Sequence, residues 1–237
     1  MPEQPQMPVL LVPGLVCDRA LWEEQIESLE AANHPCLVAD VTQHSDIEAM
    51  ARAVLGAAPE RFHLLGLSMG GYVALTMVRQ APGRMESLGL LDTSARSDSA
   101  TQIARRREMI RRTEYGDFHG VVEELIGKFL AASSQADADL VARVRRMAHR
   151  VGGEVMIRQQ HAIMSRPDRS EQLAAIDVPT LVVCGREDAL VPLEHSEEIA
   201  SGIPDAQLRI IEGSGHLPTM EHPAQVSEAL ISWLQRR

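Results

Sequence analysis

Cysteine and aromatic residues are scarce in this 237-residue chain. Three cysteines are present, Cys17, Cys36 and Cys184, and aromatic side chains account for 3% of the residues. The cysteines are odd in number, lie far apart and form no C-x-x-C pair, which argues against a disulfide framework, dithiol redox chemistry and a cysteine-based zinc site. We expect reduced cysteines, with Cys36 and Cys184 packed in strands and Cys17 in a loop that could flank a pocket.

Basic charge, long apolar runs and paired histidines are lacking as well. The net charge of −10 argues against nonspecific binding to nucleic acid or to an anionic membrane surface. No apolar run approaches the length of a membrane span, and residues 1–7 lack the basic and apolar regions of a signal peptide, so we expect a cytoplasmic protein. The nine histidines form no H-x-x-x-H or H-E-x-x-H pair, and we expect no metal site.

The pattern of apolar segments indicates an α/β protein with a parallel sheet. A chain of 237 residues with 45% hydrophobic content can bury one substantial core, so a second independent domain is not expected. Strand-like and helix-like segments alternate, which is typical of right-handed β-α-β crossovers. The predicted strands are 8–12, 35–39, 62–66, 86–91, 178–184 and 207–211. The predicted helices are 21–31, 47–57, 69–80, 193–201 and 223–235.

Residues 66–71, Gly-Leu-Ser-Met-Gly-Gly, lie between a predicted strand and a predicted helix. Glycines two residues before and after Ser68 allow a tight strand-to-helix turn that forces the serine into strained backbone geometry. The Ser68 hydroxyl would then project into a cleft, and the Met69 N–H at the start of the helix would point to the same space and stabilise an oxyanion. The G-x-S-x-G pattern also occurs in ordinary glycine-rich turns, so the interpretation needs support from other segments.

Two further predicted strands are each followed by a candidate catalytic side chain. Residues 179–185 form an apolar, β-branched strand pattern, and Asp188 lies just beyond it. Residues 206–211 form another strand pattern, and His216 lies on the loop after it. The order serine, aspartate, histidine, with each residue just past a strand, is the one expected of the catalytic triad of an α/β-hydrolase.

At this point the chain resembles the α/β-hydrolase superfamily over nearly its whole length. The matching segments are residues 10–15, 66–71, 185–188 and 213–216. The resemblance implies that the residue after Gly14 supplies a second oxyanion amide, which makes Leu15 the candidate and Val16 the alternative. The strings Leu-Val-Pro-Gly-Leu-Val-Cys-Asp and Leu-Asp-Thr-Ser-Ala-Arg more loosely resemble the bacterial enol-lactonase, esterase and cofactor-free haloperoxidase branch.

The resemblance also implies an α/β-hydrolase fold in which a helical cap interrupts the sheet. About seven residues precede the first predicted strand, which leaves no room for the usual N-terminal hairpin, so we expect a shortened, mostly parallel sheet of about six strands. Residues 95–169 have helical periodicity without a clear strand. We expect 1–94 and 170–237 to form the core and 95–169 to form a cap over the catalytic cleft.

The resemblance implies a serine hydrolase that cleaves an ester or lactone of a small molecule without a cofactor. His216 would take the proton of Ser68, Asp188 would orient the imidazole, and the Met69 and Leu15 amides would bind the oxyanion. Asp92 also follows a strand and is the alternative acid, and His222 is the alternative histidine.

The sequence leaves several other functions open. Carbon–carbon bond hydrolysis, non-hydrolytic elimination and perhydrolysis use the same fold, and some proteins of this fold are non-catalytic ligand receptors. The substrate and the oligomeric state are not indicated by any motif. An aspartate in place of Ser68 would be expected in haloalkane dehalogenases and epoxide hydrolases, so those reactions are not expected here.

Charge is distributed unevenly along the chain. Residues 95–169 contain fourteen Arg or Lys and ten Asp or Glu, a balance of +4 that leaves −14 for the rest of the −10 chain. Arginines concentrate in 105–112 and 143–150. A solvated helix face that pairs with acidic residues explains such a pattern, and a cap that attracts a carboxylate-bearing substrate is the alternative hypothesis.

Overall fold

The computed structural model describes residues 6–235, and its centre is one sheet of six parallel strands. The strand order across the sheet is β2-β1-β3-β4-β5-β6. The strands are β1 (Val9–Val12), β2 (Cys36–Val38), β3 (Phe62–Leu67), β4 (Met85–Leu91), β5 (Thr180–Gly185) and β6 (Gln207–Ile211). The predicted α/β class and the shortened six-stranded sheet are therefore confirmed, and every predicted strand ends within two residues of an observed one.

Helices pack against this sheet and connect its strands. The helices are α1 (Glu23–Ala31), α2 (Ile47–Ala57), α3 (Met69–Gln80), α4 (Ala100–Glu114), α5 (Phe118–Phe129), α6 (Ala138–Val151), α7 (Gly153–Ser165), α8 (Leu193–Gly202), α9 (Pro218–Glu221) and α10 (Pro223–Leu234). Helix α1 packs on α10, and α2 packs on α3. Strands β1, β3 and β5 are buried along their whole length, as expected of parallel strands covered on both faces.

Helices α4 to α7 form one continuous insertion between β4 and β5, which we call the helical insertion (residues 100–165). Within it, α4 contacts α5 and α7, and α5 contacts α6. Its buried apolar residues, such as Val121, Leu125 and Met147, belong to the same hydrophobic cluster as the sheet. The boundaries 95–169 that the sequence predicts for a separate cap stay a prediction. No helix within residues 6–235 is long and apolar enough to cross a bilayer.

Two glycines allow β3 to turn sharply into α3. A Cβ added to Gly66 would lie 2.3 Å from the Gly70 carbonyl oxygen, and one added to Gly70 would lie 2.0 Å from the Val12 oxygen. Real Cβ atoms do not approach backbone oxygens so closely, because the overlap is strongly repulsive. Helix α3 therefore lies directly against β1 and β3 only because these two positions lack side chains.

We predict that Gly70→Ala lowers the free energy of unfolding by about 3 kcal/mol, because the new methyl group overlaps immobile backbone. Gly56→Ala is the matched control, since a Cβ at Gly56 in α2 meets no atom within 4 Å. Alanine there should raise the free energy of unfolding by about 0.5–1 kcal/mol through its higher helix propensity. Urea unfolding monitored by circular dichroism measures both, and equal stability of the two variants would contradict the packing argument.

Candidate active site

Ser68, Asp188 and His216 meet at the carboxyl edge of the sheet. Ser68 follows β3, Asp188 follows β5, and His216 lies on the loop after β6. The His216 Nε2 atom is 2.8 Å from the Ser68 hydroxyl oxygen, and its Nδ1 atom is 2.7 Å from Asp188 Oδ2. The structure thus brings together the three side chains that the sequence analysis selected, in one hydrogen-bonded chain.

Ser68 has an unusual backbone conformation, with φ 55° and ψ −115°. Left-handed φ is costly for a residue with a Cβ, so neighbouring groups must hold it in place. The Ser68 N–H donates to the Leu91 carbonyl at 2.9 Å, and the Thr93 hydroxyl donates to the Ser68 carbonyl at 2.8 Å. Residues at the end of β4 therefore fix the turn that carries the serine.

Two backbone amides near Ser68 are available as donors. Neither the Leu15 nor the Met69 N–H donates a hydrogen bond within the described part of the chain. Met69 directly follows Ser68 at the first turn of α3. The Leu15 loop lies beside the serine, since a Cβ added to Gly14 would be 3.4 Å from the Ser68 Cβ. Both residues therefore lie beside Ser68 with an N–H that has no acceptor among residues 6–235.

Val16, the alternative oxyanion donor, is already engaged by the helical insertion. Its N–H donates to the Gln159 side-chain oxygen at 2.9 Å, and the Gln159 amide donates to the Val41 carbonyl at 3.3 Å. Val16 has φ 51°, which is rare for a β-branched residue. The fully buried Gln159 therefore holds the strained loop that presents Leu15. The sequence analysis missed Gln159, since no motif connects it to a loop 143 residues away.

The loop that carries His216 is fastened to the helical insertion. The His216 N–H donates to the Phe129 carbonyl at 2.8 Å, and the two rings stack with centroids 5.7 Å apart. The Glu221 carboxylate accepts the Gly215 N–H at 2.9 Å and the Ala131 N–H at 2.8 Å. No motif in the sequence indicates this role. Glu221 ends α9 and ties the histidine loop to the chain after α5.

Asp188 and Asp92 are buried neighbours with different contacts. Asp188 Oδ1 accepts the N–H groups of Leu190 at 2.8 Å and Val191 at 3.0 Å, while Oδ2 contacts His216. Asp92 Oδ1 accepts the Gly185 N–H at 2.8 Å, and Oδ2 has no hydrogen-bond partner among the described residues. The histidine thus contacts Asp188 and not Asp92.

Asp92 is fully buried and lies close to the other two groups, Asp188 and His216. One oxygen from each carboxyl and one His216 nitrogen lie within 4.8 Å of one another. Burial, and then the charge of Asp188, raises the pKa of Asp92 well above its usual value. Two adjacent buried carboxylates repel each other, which favours the protonated form of Asp92.

The three cysteines and His222 are not part of the hydrogen-bonded chain of Ser68, His216 and Asp188. Cys17 is buried, its thiol faces the Leu15 carbonyl at 3.2 Å, and burial raises its pKa above the usual range. Burial raises the pKa of Cys36 and of Cys184 to about 12. Such thiols are poor nucleophiles at neutral pH. His222 precedes α10 and does not line the cavity above Ser68.

A cavity of about 570 Å³ opens above Ser68 and His216. Such a volume is typical of pockets for small molecules. Part of its wall is apolar and comes from Leu15, Tyr72, Met109, Leu125, Phe129 and Val191. The rest is polar, with hydroxyls and several charged side chains from the segment after β4, from α4 and from the segment after α7. The cavity therefore accepts a ligand with both apolar and polar parts next to the serine.

Comparison with known proteins matches one family along almost the whole chain. The sequence model of a family described as "Alpha/beta hydrolase family" matches residues 9–229. A solved structure of a thermophilic esterase from Thermogutta terrifontis, determined with malate bound, superposes with a TM-score of 0.88 at 32% identity. That superposition covers 97% of this chain and 90% of the esterase.

Two curated relatives are similar over nine tenths or more of their length. A protein of Azorhizobium caulinodans named carbamate hydrolase RutD is 28% identical over 95% of this chain and 90% of its own. The pimeloyl-[acyl-carrier protein] methyl ester esterase of Vibrio atlanticus is 24% identical over 96% of this chain and 94% of its own. The similarity therefore extends through the sheet and the helical insertion alike.

We predict that Asp92→Asn stabilises the protein increasingly as pH rises from the usual aspartate pKa, about 4, to the raised pKa of folded Asp92. Between these two values folded Asp92 keeps its proton while the unfolded chain loses it, so wild-type stability falls by about 1.4 kcal/mol per pH unit. Asparagine does not titrate, and its amide keeps an oxygen for Gly185 and offers N–H groups to Asp188. Melting temperatures of both proteins across this pH range test the prediction. A difference that does not change with pH would show that Asp92 is ionised in the folded protein.

Proposed function

The chain belongs to the alpha/beta hydrolase family, and from this membership we propose that it cleaves an ester or lactone of a small molecule through an acyl-enzyme on Ser68. The observation that carries the proposal is the His216 ring, whose two nitrogens contact Ser68 at 2.8 Å and Asp188 at 2.7 Å. This connected geometry is the one that activates a serine hydroxyl for attack on a carbonyl.

In the first half-reaction His216 acts as the general base. Asp188 accepts the Nδ1–H, which leaves Nε2 unprotonated and facing the Ser68 hydroxyl. Nε2 takes the hydroxyl proton while Oγ forms a bond to the substrate carbonyl carbon. The buried Asp188 carboxylate then stabilises the imidazolium. His216 returns the proton to the leaving oxygen as the carbon–oxygen bond breaks, which produces the acyl-enzyme and an alcohol.

The negative charge that develops on the carbonyl oxygen is stabilised by the Leu15 and Met69 amides. Both N–H groups are free of other described acceptors, so they bind the oxyanion without giving up an existing hydrogen bond. In the second half-reaction His216 takes a proton from water, and the resulting hydroxide attacks the acyl carbon. Ser68 leaves with the proton returned by His216, and no cofactor takes part.

The names of the similar proteins support cleavage of an ester-type bond. The relatives are named as a carbamate hydrolase, a methyl ester esterase and an esterase, and all of these names describe cleavage at an acyl carbonyl. We infer that residues 95–169 act as a cap that selects the substrate, because this segment supplies much of the cavity wall above Ser68. A small acyl compound fits the volume of that cavity.

We predict that Ser68→Ala lowers kcat for short-chain ester hydrolysis by about 10³-fold or more while leaving the melting temperature within a few degrees of wild type. The Ser68 hydroxyl takes part in the reaction and contributes little to packing, so its removal should affect kcat and not stability. A fluorophosphonate probe should label the wild-type protein with one equivalent and the variant not at all, which separates an enzyme from a ligand receptor. Near-native turnover by a folded Ser68→Ala protein would reject the acyl-enzyme.

We predict that Asp188→Asn lowers kcat by orders of magnitude and that Asp92→Asn lowers it much less. Asparagine at 188 donates an N–H to Nδ1 and so favours the wrong histidine tautomer, whereas Asp92 does not contact the ring. The two substitutions are matched in size and lie side by side, so each controls for the other. Steady-state kinetics on one ester decides the matter, and the reverse ranking would make Asp92 the acid.

A further inference from the structure

Five of the ten arginines of the helical insertion form ion pairs on the outer surface of the protein. The sequence analysis noted the stretches 105–112 and 143–150 as a possible anion site. The structure pairs Arg111 with Glu108, Arg112 with Asp117 and Glu124, Arg143 with Glu24, Arg145 with Glu123, and Arg150 with Asp18. None of these arginines lines the cavity above Ser68. Their charge is therefore accounted for without a ligand.

The cavity wall itself carries more positive than negative charge. Four guanidinium groups line it, those of Arg96, Arg105, Arg106 and Arg166, and two carboxylates, those of Asp98 and Asp168. The chain as a whole has a net charge of −10. A positive surface on such an acidic protein is a local feature of the cavity, and the partners of the four arginines decide how much of its charge is free.

Asp98 forms ion pairs with the two inner arginines, Arg106 and Arg166. Its side chain is 1% exposed, and it contacts Arg106 at 2.6 Å and Arg166 at 2.8 Å. Arg166 also donates to the Arg96 and Ile163 carbonyls and lies over the Tyr72 ring, so it is fixed in the wall. These contacts lower the pKa of Asp98 and keep its charge in place. The inner group is thus a closed hydrogen-bonded network.

Two further charged side chains of the cavity wall, Arg96 and Asp168, also have partners. Arg96 pairs with Glu198, an acid outside the cavity wall, at 2.8 Å. Asp168 accepts the Ser170 N–H at 2.9 Å and the Ser97 N–H at 3.4 Å. Burial, and next the charge of Arg96, lowers the pKa of His195 on the same wall.

Arg105 is the arginine of this wall that lacks an anionic partner. No hydrogen bond or ion pair joins its guanidinium to any residue within 6–235. It lies on α4 beside Thr101 and Gln102, which also line the cavity, and it is exposed to solvent there. Met109, one turn further along α4, continues the same face with an apolar side chain. This face of α4 therefore carries an unpaired guanidinium at Arg105 and an apolar side chain at Met109.

We propose that Arg105 binds a carboxylate of the substrate, so that the preferred substrates are anionic esters or lactones. The inference rests on the proposed ester hydrolysis and names its substrate class. A guanidinium binds the planar carboxylate through two parallel N–H donors, and one unpaired cation balances one negative charge. A phosphate monoester, with nearly two charges at neutral pH, would exceed that balance. Carboxylates are therefore the better fit.

Two matched series of ethyl esters test the proposal. In one series the far end of a straight acyl chain is a carboxylate, and in the other it is the isosteric primary amide, over a range of chain lengths. The measured quantity is the ratio of kcat/KM between carboxylate and amide at the chain length that favours the carboxylate most. Arg105→Gln should lower this ratio about tenfold, mainly through KM, because a hydrogen bond between two charged groups is lost.

Two further variants control for charge and geometry. Arg107→Gln removes the same charge from an exposed position on α4 that does not line the cavity, and it should leave the ratio at the wild-type value. Arg105→Lys keeps the charge without the planar fork and should retain part of the preference. Raising the ionic strength should reduce the wild-type ratio, because the site is open to solvent.

Equilibrium binding to Ser68→Ala separates this inference from the proposed reaction. Calorimetry on that variant should show tighter binding of the carboxylate ester than of its amide, and the additional Arg105→Gln substitution should remove the difference. Equal binding of the two esters at every chain length would overturn the carboxylate site, even if both were hydrolysed. Tighter carboxylate binding without hydrolysis by the wild type would support the site and reject the ester hydrolase.

Discussion

The left-handed backbone of Ser68 is the constraint on which the rest of the site depends. At φ 55° the chain reverses from β3 into α3 within one residue, and the hydroxyl is presented above the sheet edge. The same turn directs the Met69 N–H to that space. It requires glycine at 66 and 70, where a Cβ would overlap backbone oxygens. Contacts from β1 and from the end of β4 then hold a conformation that an isolated peptide would leave.

The parts of the molecule that could be predicted from sequence are those with local signatures. Buried parallel strands appear in the sequence as short apolar runs, and the tight strand-to-helix turn is indicated by the glycines around Ser68. Asp188 and His216 each follow such a run, so their position at one sheet edge follows from the parallel order of the strands. The family and the six-stranded sheet were predicted correctly for these reasons.

The supporting contacts had no such signature. Gln159 reaches Val16 across 143 residues, and Glu221 reaches Ala131 across 90 residues. Each is a single polar side chain in an otherwise ordinary helix, and its partner is a backbone N–H whose position depends on the assembled fold. The number of arginines in a segment likewise does not indicate their partners. A surplus of four charges in residues 95–169 does not indicate which guanidinium lacks a carboxylate, because that depends on side-chain packing around Asp98.

The attachment of the histidine loop to Phe129 also restricts how a substrate can enter. His216 is joined to the end of α5 by a backbone hydrogen bond and a ring stack, and Glu221 joins the same loop to Ala131. If the end of α5 swung outward, it would carry the imidazole away from Ser68 or break these contacts. The end of α5 is therefore a fixed part of the cavity wall, and it cannot move without disturbing the contact between His216 and Ser68.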